Sequence, residues 1–226
     1  MIQLHGVSKI YSRDSIGLRD INLHIGAGEF VSIVGQSGTG KSTLVKILIA
    51  EERPTKGKIV IGDWDITDIS AADIPFLRRQ IGVIFQDFKL LPKKTVRENV
   101  SFALEVAGET SDRIRKVVPQ VLDIVGLADK YHRYPLQLSG GEQQRVAIAR
   151  SLVHRPKIMI ADEPTGNLDS LNTVEIMEIL KKINEFGTTV LLATHNREIV
   201  NNIRRRVITL RGGEIASDER EGKYRL

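Results

Sequence analysis

Phe30-Val31-Ser32-Ile33-Val34 runs directly into Gly35-Gln36-Ser37-Gly38-Thr39-Gly40-Lys41-Ser42, and the stretch to Ala50 continues with Leu44, Val45, Ile47 and Leu48 at helical spacing. A short β-branched apolar run reads as a buried strand, and the segment after it matches G-x-x-x-x-G-K-[ST] in full. Strand before and helix after are the context in which this pattern cradles phosphate. The glycines allow backbone angles that aim several N–H groups inward at phosphate oxygens. The helix N-terminus adds partial positive charge. Gly35, Gln36, Ser37, Gly38, Thr39 and Gly40 are therefore expected to wrap the phosphates. Lys41 is expected to reach the β- and γ-phosphates of a nucleoside triphosphate, and the Ser42 hydroxyl to ligate Mg²⁺.

Outward from this loop, strand-like and helix-like stretches alternate, which predicts an α/β fold. Lys58-Ile59-Val60-Ile61 and Ile81-Gly82-Val83-Ile84-Phe85 read as strands. Lys157-Ile158-Met159-Ile160-Ala161 and Thr188-Thr189-Val190-Leu191-Leu192-Ala193 are apolar enough to be central parallel strands. Val207-Ile208-Thr209-Leu210 followed by Arg211-Gly212-Gly213 reads as a strand entering a hairpin turn. Residues from about Glu98 to Val153 are mostly helical, with Val117, Val121, Leu122 and Val125 on one side, Gly126 as a stop, and Pro119 predicting a kink or a restart. With no Pro/Gly/Ser linker around it, this segment reads as an insert, roughly 88–155, within one domain spanning 1–226.

The 226 residues carry 33 Lys+Arg against 28 Asp+Glu, a net charge of +5, and no cysteine. That excludes a disulfide scaffold, a Cys-ligated zinc and an iron–sulfur site. No apolar run approaches the ~18 residues of a membrane span, and Met1-Ile2-Gln3-Leu4-His5 does not look like a signal peptide. The expectation is a soluble cytoplasmic protein. The mild basic excess suits nucleotides, anionic lipid or nucleic acid alike.

Two further stretches carry chemistry. Ile158-Met159-Ile160-Ala161-Asp162-Glu163 is an apolar strand ending in two acids, where a Mg²⁺-orienting carboxylate belongs. Adjacent strand residues point oppositely, so Asp162 and Glu163 need a turn between them to act together, and Pro164 favours one. Asp162 is assigned to the metal and Glu163 to the attacking water as general base. Leu138-Ser139-Gly140-Gly141-Glu142-Gln143-Gln144 precedes a helical pattern, with Ser139 and Glu142 forming an S-x-x-E capping box. Two glycines leave the first N–H groups of that helix able to meet an anion. The chain thus has two helix N-termini suited to phosphate but one lysine loop. A two-fold dimer satisfies both, with each nucleotide between one copy's lysine loop and the other's Ser139-Gly140-Gly141. Tyr11 either stacks on an adenine ring or packs on the strand beneath it.

Together these motifs resemble the ATP-binding cassette (ABC) ATPases, in order and over essentially the whole chain, with Leu138 to Gln143 matching the family's signature sequence. The resemblance implies a P-loop NTPase core with an N-terminal antiparallel β region and a helical insert, ATP and Mg²⁺ as ligands, and Mg²⁺-dependent ATP hydrolysis. It implies that Tyr11 stacks on adenine and that Thr43 completes the loop. Gln86 would contact Mg²⁺ and the attacking water, and Asn167-Leu168-Asp169 would cross a dimer interface. His195, after Leu192-Ala193-Thr194, would contact the γ-phosphate. His5, His24, His132 and His154 match no motif and read as structural or surface residues. Asn196 departs from the Asp that commonly follows the switch histidine, which removes one charge beside it.

Within the family, Asn99-Val100 and Gly166-Asn167-Leu168-Asp169, with Leu90-Leu91-Pro92, look like the group of lipoprotein-release, macrolide-export and cell-division ATPases, and Phe85-Gln86-Asp87-Phe88-Lys89-Leu90-Leu91-Pro92 and Gly222-Lys223-Tyr224 look like its cell-division branch. That implies an ATP-dependent homodimer on the cytoplasmic face of a bacterial membrane, acting with a polytopic membrane subunit, FtsX, on septal cell-wall hydrolases. The subunit would dock near Gln86, with Phe88, Leu90 and Leu91 as exposed apolar residues or packed under the insert. A lipoprotein-release or macrolide-export ATPase is the alternative. Arg78-Arg79 and Arg204-Arg205-Arg206 leave a nucleic-acid-linked member as a further one.

Overall fold

The first strands are β1 (Ile2–Ser12), β2 (Ser15–Ile25), whose buried Ile21, Leu23 and Ile25 alternate with exposed residues, and the wholly buried, β-branched β3 (Phe30–Val34). α1 (Lys41–Leu48), β4 (Lys56–Ile61), β5 (Trp64–Asp65) and α2 (Ile74–Arg78) follow. Next come β6 (Ile81–Phe85), α3 (Val96–Val106), α4 (Ser111–Ile124), α5 (Gly140–Leu152), β7 (Ile158–Asp162) and α6 (Ser170–Glu185). The chain ends with β8 (Thr189–Thr194), α7 (Arg197–Ile203), β9 (Arg206–Arg211) and β10 (Glu214–Glu219). This is a computed structural model that describes residues 1–12 and 14–224; Arg13, in the polar segment after Tyr11, lies outside them. The backbone divides into two compact units, residues 1–78 with 187–226, and residues 79–186.

The first unit holds two sheets. β2, β1, β4 and β5 form an antiparallel sheet in that order, the expected N-terminal β region. β3 lies between β8 and β9, parallel to both, with Phe30 opposite Val190 and Val31 opposite Arg206. All of β3 and β8 is buried, as continuous apolar runs require. β9 and β10 form the expected hairpin, with positive φ at both Gly212 and Gly213 suiting a primed two-residue turn. α1 buries Leu44, Val45, Ile47 and Leu48, and the turn just past its end receives the Arg78 guanidinium, which donates to Ile49 O at 3.1 Å and Ala50 O at 3.3 Å. Arg206 is likewise committed. It donates to both Asp218 oxygens (2.8 and 2.7 Å), to Glu29 (2.7 Å) and to His24 O. Those acceptors raise its pKa above the ordinary arginine value, and two members of the basic runs are thereby structural.

The second unit pairs β6 with β7 in parallel, from Ile81 opposite Ile158 to Phe85 opposite Asp162. α5 packs close on β6: a Cβ at Gly82 would meet Ser151 O at 2.6 Å and Met159 Sδ at 2.9 Å. α4 buries Ile114, Val118, Val121 and Leu122. It also corrects one expectation, since the helix runs from Ser111 to Ile124 through Pro119 without a restart. Pro119 is exposed, so the carbonyl that loses its N–H partner, four residues earlier, can turn to water. The helix stops as read, with Gly126 N bonding Asp123 O and Leu127 N bonding Leu122 O, a Schellman closure.

Candidate active site

In the first unit, the Gly35–Gly40 turn joins β3 to α1. Gly40 is the N-cap of α1 at φ 105, and a Cβ there would meet Gly17 O at 2.4 Å, so no other residue fits. Thr39 Oγ1 donates to Gln36 O at 2.9 Å and closes the turn. Lys41 is buried, and its ammonium donates to Gly35 O at 2.7 Å and Gln36 O at 3.1 Å. The cation is therefore held across the loop that it serves. Ser42 is exposed in the first turn, as an anion- or metal-binding hydroxyl must be. Tyr11 keeps 49% of its surface exposed. Its hydroxyl donates to Glu52 Oε2 at 2.6 Å and lies 3.3 Å from Thr43 Oγ1.

His195 is exposed, directly after β8. Asn196 caps α7, its side-chain oxygen accepting from Ile199 N at 3.2 Å. Asn and Asp cap about equally well, so the departure at this position leaves the backbone around His195 intact.

In the second unit, β7 ends at Asp162 and the chain turns at Glu163, which sits at φ 48. A non-glycine residue there stores of order 1–3 kcal/mol. The residue before proline ordinarily stays extended, so the turn is made by Glu163 itself and not imposed by Pro164. The strand alternation that would separate the two acids ends at that point. Gly166 N donates to Glu163 O at 3.1 Å, and the buried side chain of Gln144 donates to Pro164 O at 2.6 Å. Gln144 was not singled out in the sequence, although a glutamine on the buried face of α5 is a visible anomaly.

Gln86 follows β6 and is exposed; its amide donates to Asn167 Oδ1 at 3.2 Å, while Asn167 donates back to Gln86 O at 3.1 Å. This reciprocal pair brings the Gln86 and Asn167-Leu168-Asp169 segments together. Asp169 caps α6, accepting from Asn172 N at 2.9 Å and from Asn172 Nδ2 at 2.7 Å. Asn172 in turn leaves no room at Gly141, where a Cβ would fall 1.7 Å from its Oδ1.

The capping box at α5 is present as read: Ser139 Oγ accepts from Glu142 N at 3.2 Å and Glu142 Oε2 accepts from Ser139 N at 2.8 Å. The Ser139 backbone bond is the largest influence holding the Glu142 carboxyl below its ordinary value, against partial burial.

Phe88, Leu90 and Leu91 are all half-buried, between the two readings of the sequence, exposed or packed under the insert. Phe88 and Lys89 both take left-handed angles (φ 57 and 48), and the Arg150 guanidinium grips their carbonyls at 2.9 and 2.6 Å. Asn99, wholly buried, accepts from Leu91 N and donates to the carbonyls of Leu91, Lys94 and Thr95. These clamps hold the segment down. Of the unassigned histidines, His5, His24 and His132 are exposed, and His154 is half-buried, its pKa lowered by burial.

A family model described as ABC transporter matches residues 18–166. The chain belongs to the ABC transporter family. It is 54% identical over 224 residues to the cell division ATP-binding protein FtsE of Bacillus subtilis, covering 99% of this chain and 98% of that one. It is 45% identical to the methionine import ATP-binding protein MetN of Aliivibrio fischeri, over 95% of this chain and 64% of that one. A dimeric, post-hydrolysis structure of the ATP-binding cassette MJ0796 bound to ADP and Pi matches with a TM-score of 0.88 at 37% identity, over 99% of this chain and all of that one. The fold is that of an ABC ATPase cassette, and the chain is an ATP-hydrolysing member of the family. No helix among the described residues is long and apolar enough to cross a membrane.

Proposed function

We propose that this cassette is the ATP-hydrolysing subunit of a membrane complex in bacterial cell division, peripheral on the cytoplasmic face and paired with a polytopic FtsX-type protein. The observation that carries this is identity above half to the Bacillus subtilis FtsE over nearly the whole of both chains. In this reading the complex passes an ATP-driven change of shape across the membrane to septal cell-wall hydrolases. Residues 1–226 act as one ATP-binding domain, with about 88–155 as its helical insert.

ATP binds with its triphosphate in the Gly35–Thr43 loop and its base on Tyr11. The donors available for Mg²⁺ fit that ion. Ser42, Asp162 and Gln86 offer a hydroxyl, a carboxylate and an amide oxygen, all hard ligands, and among the described residues no cluster of three or more His, Cys, Asp or Glu forms a protein-only cage. When bound, the ion neutralises charge on the β- and γ-phosphates. Lys41 exchanges its carbonyl partners for phosphate oxygens. Glu163 orients and deprotonates the attacking water, and His195 and Gln86 hold the γ-phosphate and water in line. Ser139, Gly140, Gly141 and Glu142 at the N-terminus of α5, with Asp169, complete the site of the other copy in an ATP-dependent homodimer. The segment around Gln86, Phe88, Leu90 and Leu91, clamped by Arg150, receives the membrane subunit.

Expression in Bacillus subtilis lacking its own FtsE tests the assignment. The wild-type chain is expected to restore division-linked wall hydrolysis and Lys41→Ala to fail. A chain that hydrolyses ATP yet restores nothing, while supporting export with a transporter's membrane subunit, would transfer it to the export branch.

A further inference from the structure

Tyr11 is not a loosely hung ring. Its hydroxyl donates to Glu52 Oε2 at 2.6 Å, and Glu52 also takes Lys46 at 3.3 Å on Oε1 and Lys9 at 3.4 Å on Oε2. The Lys9 ammonium lies 5.2 Å from the centroid of the Tyr11 ring. Gly17 backs the ring, since a Cβ there would come within 2.8 Å of Tyr11 Cε2 and 2.9 Å of Thr43 Cγ2. Glu52 is itself fixed. After α1, Ala50 turns at φ 50, and Glu51 N and Glu52 N both donate to Lys46 O, at 2.8 and 3.2 Å. The turn that leaves the helix begun at the phosphate loop therefore carries the bond to the aromatic ring, and the eight helical residues between loop and turn span about 12 Å. Burial opposes the charge on Glu52, but the bonds from Tyr11, Lys46 and Lys9 outweigh it and keep its pKa below the ordinary value. Burial and the Glu52 bond raise that of Tyr11, so the phenol remains the donor.

We propose that Glu52 is a positioning residue for nucleotide binding: it fixes the Tyr11 ring relative to the phosphate loop, so that base and triphosphate are engaged together. The proposal rests on the reading of Tyr11 as the base-stacking ring. Glu52 touches the ligand nowhere in this scheme and acts through the phenol.

Titration of the full chain with two probes, magnesium ATP and magnesium tripolyphosphate, separates base from phosphate. Tyr11→Ala is expected to weaken ATP roughly 5- to 150-fold, the loss of about 1–3 kcal/mol of stacking, and to leave tripolyphosphate within about twofold. Glu52→Ala is expected to weaken ATP about three- to tenfold, the scale of one ordinary hydrogen bond and less than the full worth of one to a charged group, because Glu52 acts only through the phenol, again sparing tripolyphosphate. Glu52→Gln, which keeps an acceptor in place, is expected to recover most of that loss. In a Tyr11→Phe background, Glu52→Ala is expected to add nothing. Glu52→Ala weakening both probes equally would reduce Glu52 to a support for α1, and Glu52→Ala with unaltered ATP affinity beside a weakened Tyr11→Ala would overturn the proposal alone. An unaltered Tyr11→Ala would remove the stacking reading and the proposal with it. Should Glu52→Ala not fold, Glu52→Gln and the Tyr11→Phe pair decide between these outcomes.

Discussion

Asn196 illustrates how a single side chain serves the site from outside it. Its oxygen caps α7 through Ile199 N immediately after His195, so removing the cap loosens the backbone that presents the histidine. Asn196→Ala is expected to cost about 1 kcal/mol of stability, read as a lowered thermal midpoint, while Asn196→Asp holds the midpoint. If Asn196→Ala melts like the wild type, the cap carries no weight. Glu163 shows the opposite arrangement, with strain kept at the residue proposed as general base. A glutamate in left-handed backbone is tolerated because Gly166 N and Gln144 hold the residues around it. The acidic pair was legible as a strand end with two carboxylates. The left-handed backbone at Glu163 was not, since the residue after it is held by a glutamine, nineteen positions before Glu163, on another element.

At the scale of elements, the cap of α5 responds to pH. The Glu142 carboxyl closes the capping box from below its ordinary pKa of 4.5. A depressed carboxylate stabilises the folded state fully above the unfolded value, and that stabilisation is lost as the pH falls through the folded one. Thermal melts from pH 7 down to pH 3 should therefore show an acid-side decline that is shallower in Glu142→Gln, whose amide still accepts from Ser139 N. An identical decline in both would remove Glu142 from the acid response. β3, the phosphate loop and α1 were readable because a continuous apolar run and a complete motif coincide. β1 was not readable strand by strand. Its register shifts between Leu4 and Val7 and again beyond, so the buried residues Ile2, Leu4 and Val7 do not keep one period. β10, Glu214 to Glu219, has no apolar alternation and is placed by its hairpin partner. The half-burial of Phe88, Leu90 and Leu91 was not legible from the segment alone, because Asn99 pins it from the first turn of α3 while the Arg150 side chain that grips its carbonyls comes from the remote helix α5.

For the whole molecule, the chain carries one lysine loop and a second helix N-terminus of the kind that meets phosphate, and the reading proposed here satisfies both only in pairs. Solved relatives with this fold include a dimeric cassette bound to ADP and Pi. The most direct measurement is the mass of Glu163→Gln by analytical ultracentrifugation, with and without magnesium ATP. Removal of the proposed general base is expected to lower turnover by about 10²- to 10⁴-fold while leaving ATP bound, so the variant should shift from monomer to dimer on adding the nucleotide and return when it is withdrawn. A Glu163→Gln chain that binds ATP but stays monomeric, with its membrane partner present as well as without it, would contradict the paired site.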